Sequence, residues 1–269
     1  MSLGVILLLL VVPMLVSVAA IVIARLYQRR GPIVRFPEVA AERPNDLNFG
    51  FAIILGFVLV AALGTFQDAR QAATDEARAV TTLSRTALTM PAPLRDDLSH
   101  QLVCYARQVI QYDWGNKEPD GGAAGSRFVD ATSDRISQTV ATAANGNAVR
   151  DAALGALIEG EAELREARSL RHDRAAQLPA LFWVMVVIGA ILVITLSAVL
   201  LASEFTLLQA LITCGSALII AFTLVLIAAL DHPYSNGAPL PTVEPTAMQV
   251  ALDSVVRFAS DPAVDRPCP

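Results

Sequence analysis

The sequence predicts an all-α integral membrane protein with four transmembrane helices in two pairs and a helical extramembrane domain inserted between the pairs. Two observations predict it. Four apolar stretches run from about Leu3 to Ala24, Phe49 to Phe66, Leu181 to Ala202 and Leu207 to Leu230, none with Asp, Glu, Lys or Arg in its interior. Each is about as long as the ~20 residues a helix needs to cross a bilayer core. Between the second and third, a polar segment from Gln67 to Gln177 holds most of the charges. Lipid offers backbone N–H and C=O groups no water, so the apolar blocks are expected to be helices.

The first transmembrane helix is expected over residues 1–25. No basic residue precedes its apolar run, and the run exceeds the core of a signal peptide, so it reads as a retained helix. Residues 26–48 form a basic loop. Together with Arg25 at its edge, Arg29, Arg30, Arg35 and Arg43 outnumber Glu38, Glu42 and Asp46. Basic residues in short loops stay on the cytoplasmic side. That orientation puts the amino terminus outside and returns the second helix, 49–66, through the inner membrane. Residues 67–178 become an extracytoplasmic domain. Helices at 181–202 and 207–230 form a hairpin turning at Ser203–Thr206, and an extracytoplasmic tail, 231–269, ends the chain.

Within the central domain the helical pattern continues from the second stretch. Ala69, Ala72, Ala73, Ala77, Val80, Leu83 and Leu88 recur at helical spacing until Met90–Pro93 breaks it. A helix from Leu94 to about Tyr112 presents Leu98, Leu102, Tyr105, Val109 and Tyr112 at spacings of three and four. Gly115, Pro119, Gly121, Gly122 and Gly125 predict a loop. Two more helices are expected over about Asp130–Ala144 and Ala148–Gln177, the second continuing toward the third membrane helix. In it Glu161 precedes Arg165 by one turn, the favourable order for an ion pair.

The net charge of −5 and the scatter of arginines among acids give no basic face for nucleic acid. No phosphate loop, redox motif, metal cluster or nucleophile elbow is present, so no cofactor and no enzymatic activity are expected. His100 and Cys104 stand one turn apart, but two ligands do not close a zinc site. Cys214 reads as a packing residue within the fourth stretch. Cys104 and Cys268 either remain free thiols, the reading the sequence favours, or pair across an oxidising compartment.

Glu76, Arg85, Arg165 and Arg168 are the candidate charge cluster. They would serve either as an ion-pair network bracing the helices or as an arginine-lined vestibule that concentrates anions. Bracing is the favoured reading. Tyr105, Trp114 and Trp183 read as packing or interface residues, and Asp231 as the solvated end of the fourth helix. The absence of ionisable groups at mid-membrane argues against a single-subunit pump, but leaves open a pore with hydrophobic constrictions shared between subunits.

Several of these residues stand in a familiar order. Asn45-Asp46 precedes the second helix; Glu76-Ala77, Arg85 and Met90-Pro-Ala-Pro-Leu-Arg95 come after it; then Tyr105, Asp113-Trp114, the run from Glu163 to Arg168, Leu178-Pro-Ala-Leu-Phe-Trp183, and Leu230-Asp-His-Pro-Tyr234. This order resembles the bestrophin-like domain family of bacterial membrane proteins over about Asn45 to Val256. Asp113 replaces the glutamate more common in that family, and the segment after Trp114 is divergent. The resemblance implies kinship with bestrophins, which are oligomeric anion channels. The expected partners are therefore the lipid bilayer and further copies of the chain. The rival expectation is a non-conducting structural or sensory protein whose outer domain binds an envelope partner.

Overall fold

The computed structural model describes residues 43–114, 121–145, 151–174, 180–201, 207–231, 233–234, 241–259 and 266–268, together with positions 11, 15, 18, 19, 22 and 23. Those six positions, in the first apolar stretch, are helical. The rest of that stretch, the 26–42 loop, the Ser203–Thr206 turn and His232 lie outside the described residues. The helices are α1 (Arg43–Ala87), α2 (Ala92–Gln108), α3 (Gly121–Asn145), α4 (Asp151–Arg174), α5 (Ala180–Leu201), α6 (Leu207–Leu230) and α7 (Thr246–Phe258). A π-helical turn, Val109–Asp113, extends α2. Among the described residues there is no strand.

The chain divides into two compact units. Unit 1 comprises Met1–Thr65, Gln177–His232 and Gly237–Leu240; unit 2 comprises Phe66–Ala176, Pro233–Asn236 and Pro241–Pro269. The 45-residue helix α1 belongs to both, its apolar first part to unit 1 and its mixed second part to unit 2. The expected continuation of the second apolar stretch is thus a single helix. The matching continuation between α4 and α5 falls on residues 175–179, outside the described residues.

In unit 1 the helices meet through small side chains. Ala62, Ala190, Ala217 and Ala221 are buried, which lets backbones approach closely. Gly189 of α5 faces the ring of Phe51; a Cβ there would lie 3.0 Å from Phe51 Cε2. Much of the remaining surface is large and apolar, including Ile54, Phe57, Met185, Leu192, Ile219 and Phe222. So extensive an exposed apolar surface marks contact with lipid or with other chains.

Unit 2 has its own core. Val80 and Leu83 of α1, Leu98, Leu102 and Tyr105 of α2, Val129 and Ile136 of α3, and Leu157 and Leu164 of α4 pack together. Gly160 permits the close approach of α4 to α1, since a Cβ there would lie 3.2 Å from Leu83 Cδ1.

Four sequence expectations need correction. Residues 43–48, expected as the end of the 26–48 loop, are the first residues of α1. The segment after the fourth apolar stretch is not simply a tail, because α7 contributes Met248, Ala251 and Val255 to the core of unit 2. Their spacing of three and four makes that face apolar. Gly121, Gly122 and Gly125 are helical, so α3 starts well before Asp130. Cys104 and Cys268 form a disulfide, with Cα atoms 5.4 Å apart across 164 residues of sequence. Folding brings together what spacing alone gave no reason to join.

Candidate functional site

The charged residues buried most deeply in unit 2, Glu76, Arg171 and Arg168, gather where α1, α2, α3 and α4 converge. Glu76 of α1 is completely buried. The Tyr105 hydroxyl of α2 donates to Glu76 Oε1. Arg171 of α4 reaches the same carboxylate. Its Nη2 donates to Oε1 at 3.5 Å, and its Nε makes ionic contact with Oε2, out of line for a hydrogen bond. Arg171 Nη2 also donates to Asp113 Oδ2. Arg168, one turn earlier, gives Asp130 Oδ1 two hydrogen bonds, at 3.2 Å from Nε and 2.5 Å from Nη2. Its Nη1 makes no hydrogen bond but stands 3.6 Å from Asp113 Oδ2 and 3.9 Å from Glu76 Oε1.

Local structure explains how these groups meet. The spacing of three between Arg168 and Arg171 puts both on one face of α4. The π turn widens the end of α2 by one residue per turn and so shifts the register of Asp113 and Trp114 relative to the helix before them. Trp114 is buried, donates from Nε1 to the carbonyl of Val243 at 2.8 Å, and meets Tyr234 edge-on at 5.4 Å. The Arg171 guanidinium stands 5.0 Å from the Trp114 ring centre and 5.9 Å from that of Tyr234; Arg168 stands 5.8 Å from Tyr105. Cation–π attraction therefore supplements the ion pairs. Tyr234 closes the arrangement by donating from its hydroxyl to the Ala69 carbonyl at 2.7 Å.

The electrostatics are those of a dry, compensated network. Burial pushes the Arg171 guanidinium down, but Glu76 and Asp113 outweigh it and hold it above an ordinary arginine. Arg168 is raised as well, Tyr105 and Asp130 outweighing its own burial. Burial and the Glu76 charge push the Tyr105 hydroxyl well up. Tyr234, desolvated and near Glu76 and Asp113, is pushed up to about 12 despite Arg171. His172 is lowered by desolvation and by Arg171 and Arg168.

Of the four charges singled out in sequence, the structure joins Glu76 and Arg168. Arg165 stands apart and exposed, paired with Glu161 at 2.5 Å and with Ser137 Oγ at 3.0 Å. Arg85 is exposed at the end of α1 and takes no part in the network. Sequence reasoning missed Asp113, Asp130 and Arg171 as members. Arg171 could have been found from its spacing to Arg168; Asp130 could not. Tyr105 and Trp114, read as packing residues, are buried and also hydrogen-bonded. In unit 1, Trp183 Nε1 donates to Asp231 Oδ2. Asp231 is only 7% exposed, which corrects the expectation of a solvated helix end. Cys104 Sγ is committed to the disulfide, so it cannot join His100 as a thiolate ligand. Among the described residues no group of three or more His, Cys, Asp or Glu could hold a metal.

A family model for the Bestrophin-like domain matches residues 7–240. The chain belongs to the bestrophin-like family. It is a membrane protein of that family, and its fold agrees with solved relatives. One crystal structure, of a membrane protein variant, superposes with a TM-score of 0.73 at 14% identity, covering 98% of this chain and 100% of that one. Two variants of a bacterial Bestrophin homolog from Klebsiella pneumoniae give TM-scores of 0.72 and 0.71 at 14% and 15% identity. They cover 94% and 97% of this chain and 98% and 99% of theirs. At such identity the likeness carries the fold alone. No curated protein matches the chain.

Proposed function

We propose that this chain is the subunit of an oligomeric, anion-conducting channel with four membrane-crossing helices in the inner membrane. One observation carries the reading. Over its apolar part, α1 leaves Phe49, Ile53, Phe57 and Val60 bare, 69%, 45%, 73% and 68% exposed, in steps of four, four and three. That spacing makes one uncharged stripe. Such a stripe, repeated around an axis of several copies, forms a constriction that gates by wetting and drying, without the ionisable groups a pump requires. Kinship with bestrophins supports the same assignment.

The buried cluster of Glu76, Asp113, Arg168 and Arg171 acts in this reading as a brace rather than as a vestibule. Each guanidinium is engaged by carboxylates, and removing one partner would strand a buried charge.

The same proposal orients unit 2 to the extracytoplasmic side. The Cys104–Cys268 disulfide supports this, because such bonds persist in oxidising compartments and are rare in reducing ones. The arginines between the first two apolar stretches, Arg25 to Arg43, point the same way. A cytoplasm-dependent reporter fused after Pro269 should stay dark.

The second reading is a non-conducting structural or sensory protein whose outer unit binds an envelope partner. It is favoured by α1 itself, one helix that carries both an apolar segment and Glu76 of the ion network. Purified protein separates the two readings. The channel reading expects a discrete oligomer, current in planar bilayers, and higher unitary conductance when Ile53 and Phe57 become alanine. A silent monomer would leave the second.

A further inference from the structure

Within unit 2, α1 has two contrasting faces. One is buried and carries Ala69, Ala72, Ala73, Glu76, Ala77, Val80, Leu83 and Ala87. The other carries Gln67, Gln71, Thr74, Arg78, Thr82 and Arg85, all exposed except the half-buried Thr74. Steps of four, three, four, four and three make these six one stripe at 3.6 residues per turn. Every one of them is polar. The other exposed residues of this part of the helix, Asp68 and Arg70, are polar too. A face that met lipid or was buried in a subunit contact would carry large apolar side chains. This face is wet.

Its charges are unequal. Asp75, at the edge of the stripe, accepts from Arg78 Nη1 at 3.2 Å and Gln71 Nε2 at 2.8 Å, so Arg78 is neutralised locally. Asp68 and Arg70 flank the start of the stripe with opposite signs. Arg85 has no ion pair among the described residues. It leaves the far end of the stripe positive.

Resting on the channel reading above, we infer that this stripe is the wall of an aqueous path for small inorganic anions, and that Arg85 is the residue that favours anions over cations. One Arg85 per subunit, repeated around an oligomer, makes a ring of a single sign. Such a ring raises the local concentration of counter-ions. The amides and hydroxyls of Gln67, Gln71, Thr74 and Thr82 offer neutral dipoles to a hydrated ion without trapping it. The buried face, anchored through Glu76, fixes which way the stripe turns.

The test is the reversal potential of the full-length protein in planar bilayers under a potassium chloride gradient. Arg85→Gln should lower the chloride-to-potassium permeability ratio roughly tenfold, and Arg85→Glu should invert the preference. Arg85→Lys should preserve it. Arg127→Glu, exposed on α3 and off the stripe, should leave it unchanged. Circular dichroism and elution volume check that each variant remains folded and assembled. Unchanged reversal potentials in both Arg85→Gln and Arg85→Glu would overturn the inference. So would dispersal of the oligomer by Arg85→Glu, which would make the stripe a subunit contact, or cation preference in the wild type. Absence of any wild-type current would instead bring down the channel reading itself and this inference with it.

Discussion

The indole Nε1 of Trp183 donates to Asp231 Oδ2 at 3.0 Å. The bond joins the first turn of α5 to the residue just past α6, and so ties the two ends of the helical pair together within unit 1. Replacing Trp183 by Phe keeps the ring but removes the donor, and leaves a buried carboxylate one partner short. The expected cost is about 1–3 kcal/mol, read as a lower melting temperature of the detergent-solubilised protein. Asp231→Asn, which can still accept, should cost less.

The ion network of unit 2 makes a sharper demand. Glu76→Ala takes one of the two carboxylates that engage the buried Arg171, leaving only Asp113, and should destabilise by about 3–5 kcal/mol. Tyr105→Phe removes only one donor to Glu76 and should cost about 1 kcal/mol. Paired denaturation curves of these two variants check the ranking. A Glu76→Ala variant as stable as Tyr105→Phe would refute the account of the network as a brace.

Two tyrosines set an alkaline limit. Tyr105 and Tyr234 are both raised above the ordinary value of 10.0, Tyr234 to about 12. An acid whose folded pKa lies above its unfolded one loses its proton first in the unfolded chain. Stability is therefore full below pH 10 and drains as pH rises. Tyr234 has given up its share by about pH 12, and Tyr105, whose hydroxyl burial and Glu76 also raise, adds a loss of the same sign. Tyrosinate absorbance measured against pH should show two late titrations that move to near 10 on denaturation.

The disulfide holds the C-terminal segment to α2, where Arg266 also pairs with Asp97 at 3.4 Å. Changing Cys104 and Cys268 together to Ser should lower stability by about 2–4 kcal/mol, with protease cleavage first appearing after Phe258. Mild reduction of the wild type should reproduce that cleavage pattern.

Much of the helical content of unit 1 was legible because α5 and α6 are each one continuous, uncharged apolar run. Unit 2 was legible only where its pattern was local. The periodicity of α1 and α2 came through, as did the Glu161–Arg165 pair one turn apart. Long-range pairings did not. Arg171 and Glu76 are 95 residues apart, and nothing along the chain marks them as partners. The helix α7 was hidden differently. Pro241 and Pro245 before it, and its polar residues Gln249, Asp253 and Arg257, resemble a solvated tail, although Met248, Ala251 and Val255 already had helical spacing.

That same α7 sets the order in which the protein matures. Its three core residues and Cys268 are synthesised after both apolar helices that precede them. Unit 2 therefore cannot close as its own contiguous residues emerge from the ribosome. It must wait, with part of its apolar interior uncovered, until α7 has been made. During that interval the nascent chain is a substrate for chaperones and quality-control proteases, and truncation even a few residues before Met248 would prolong it indefinitely.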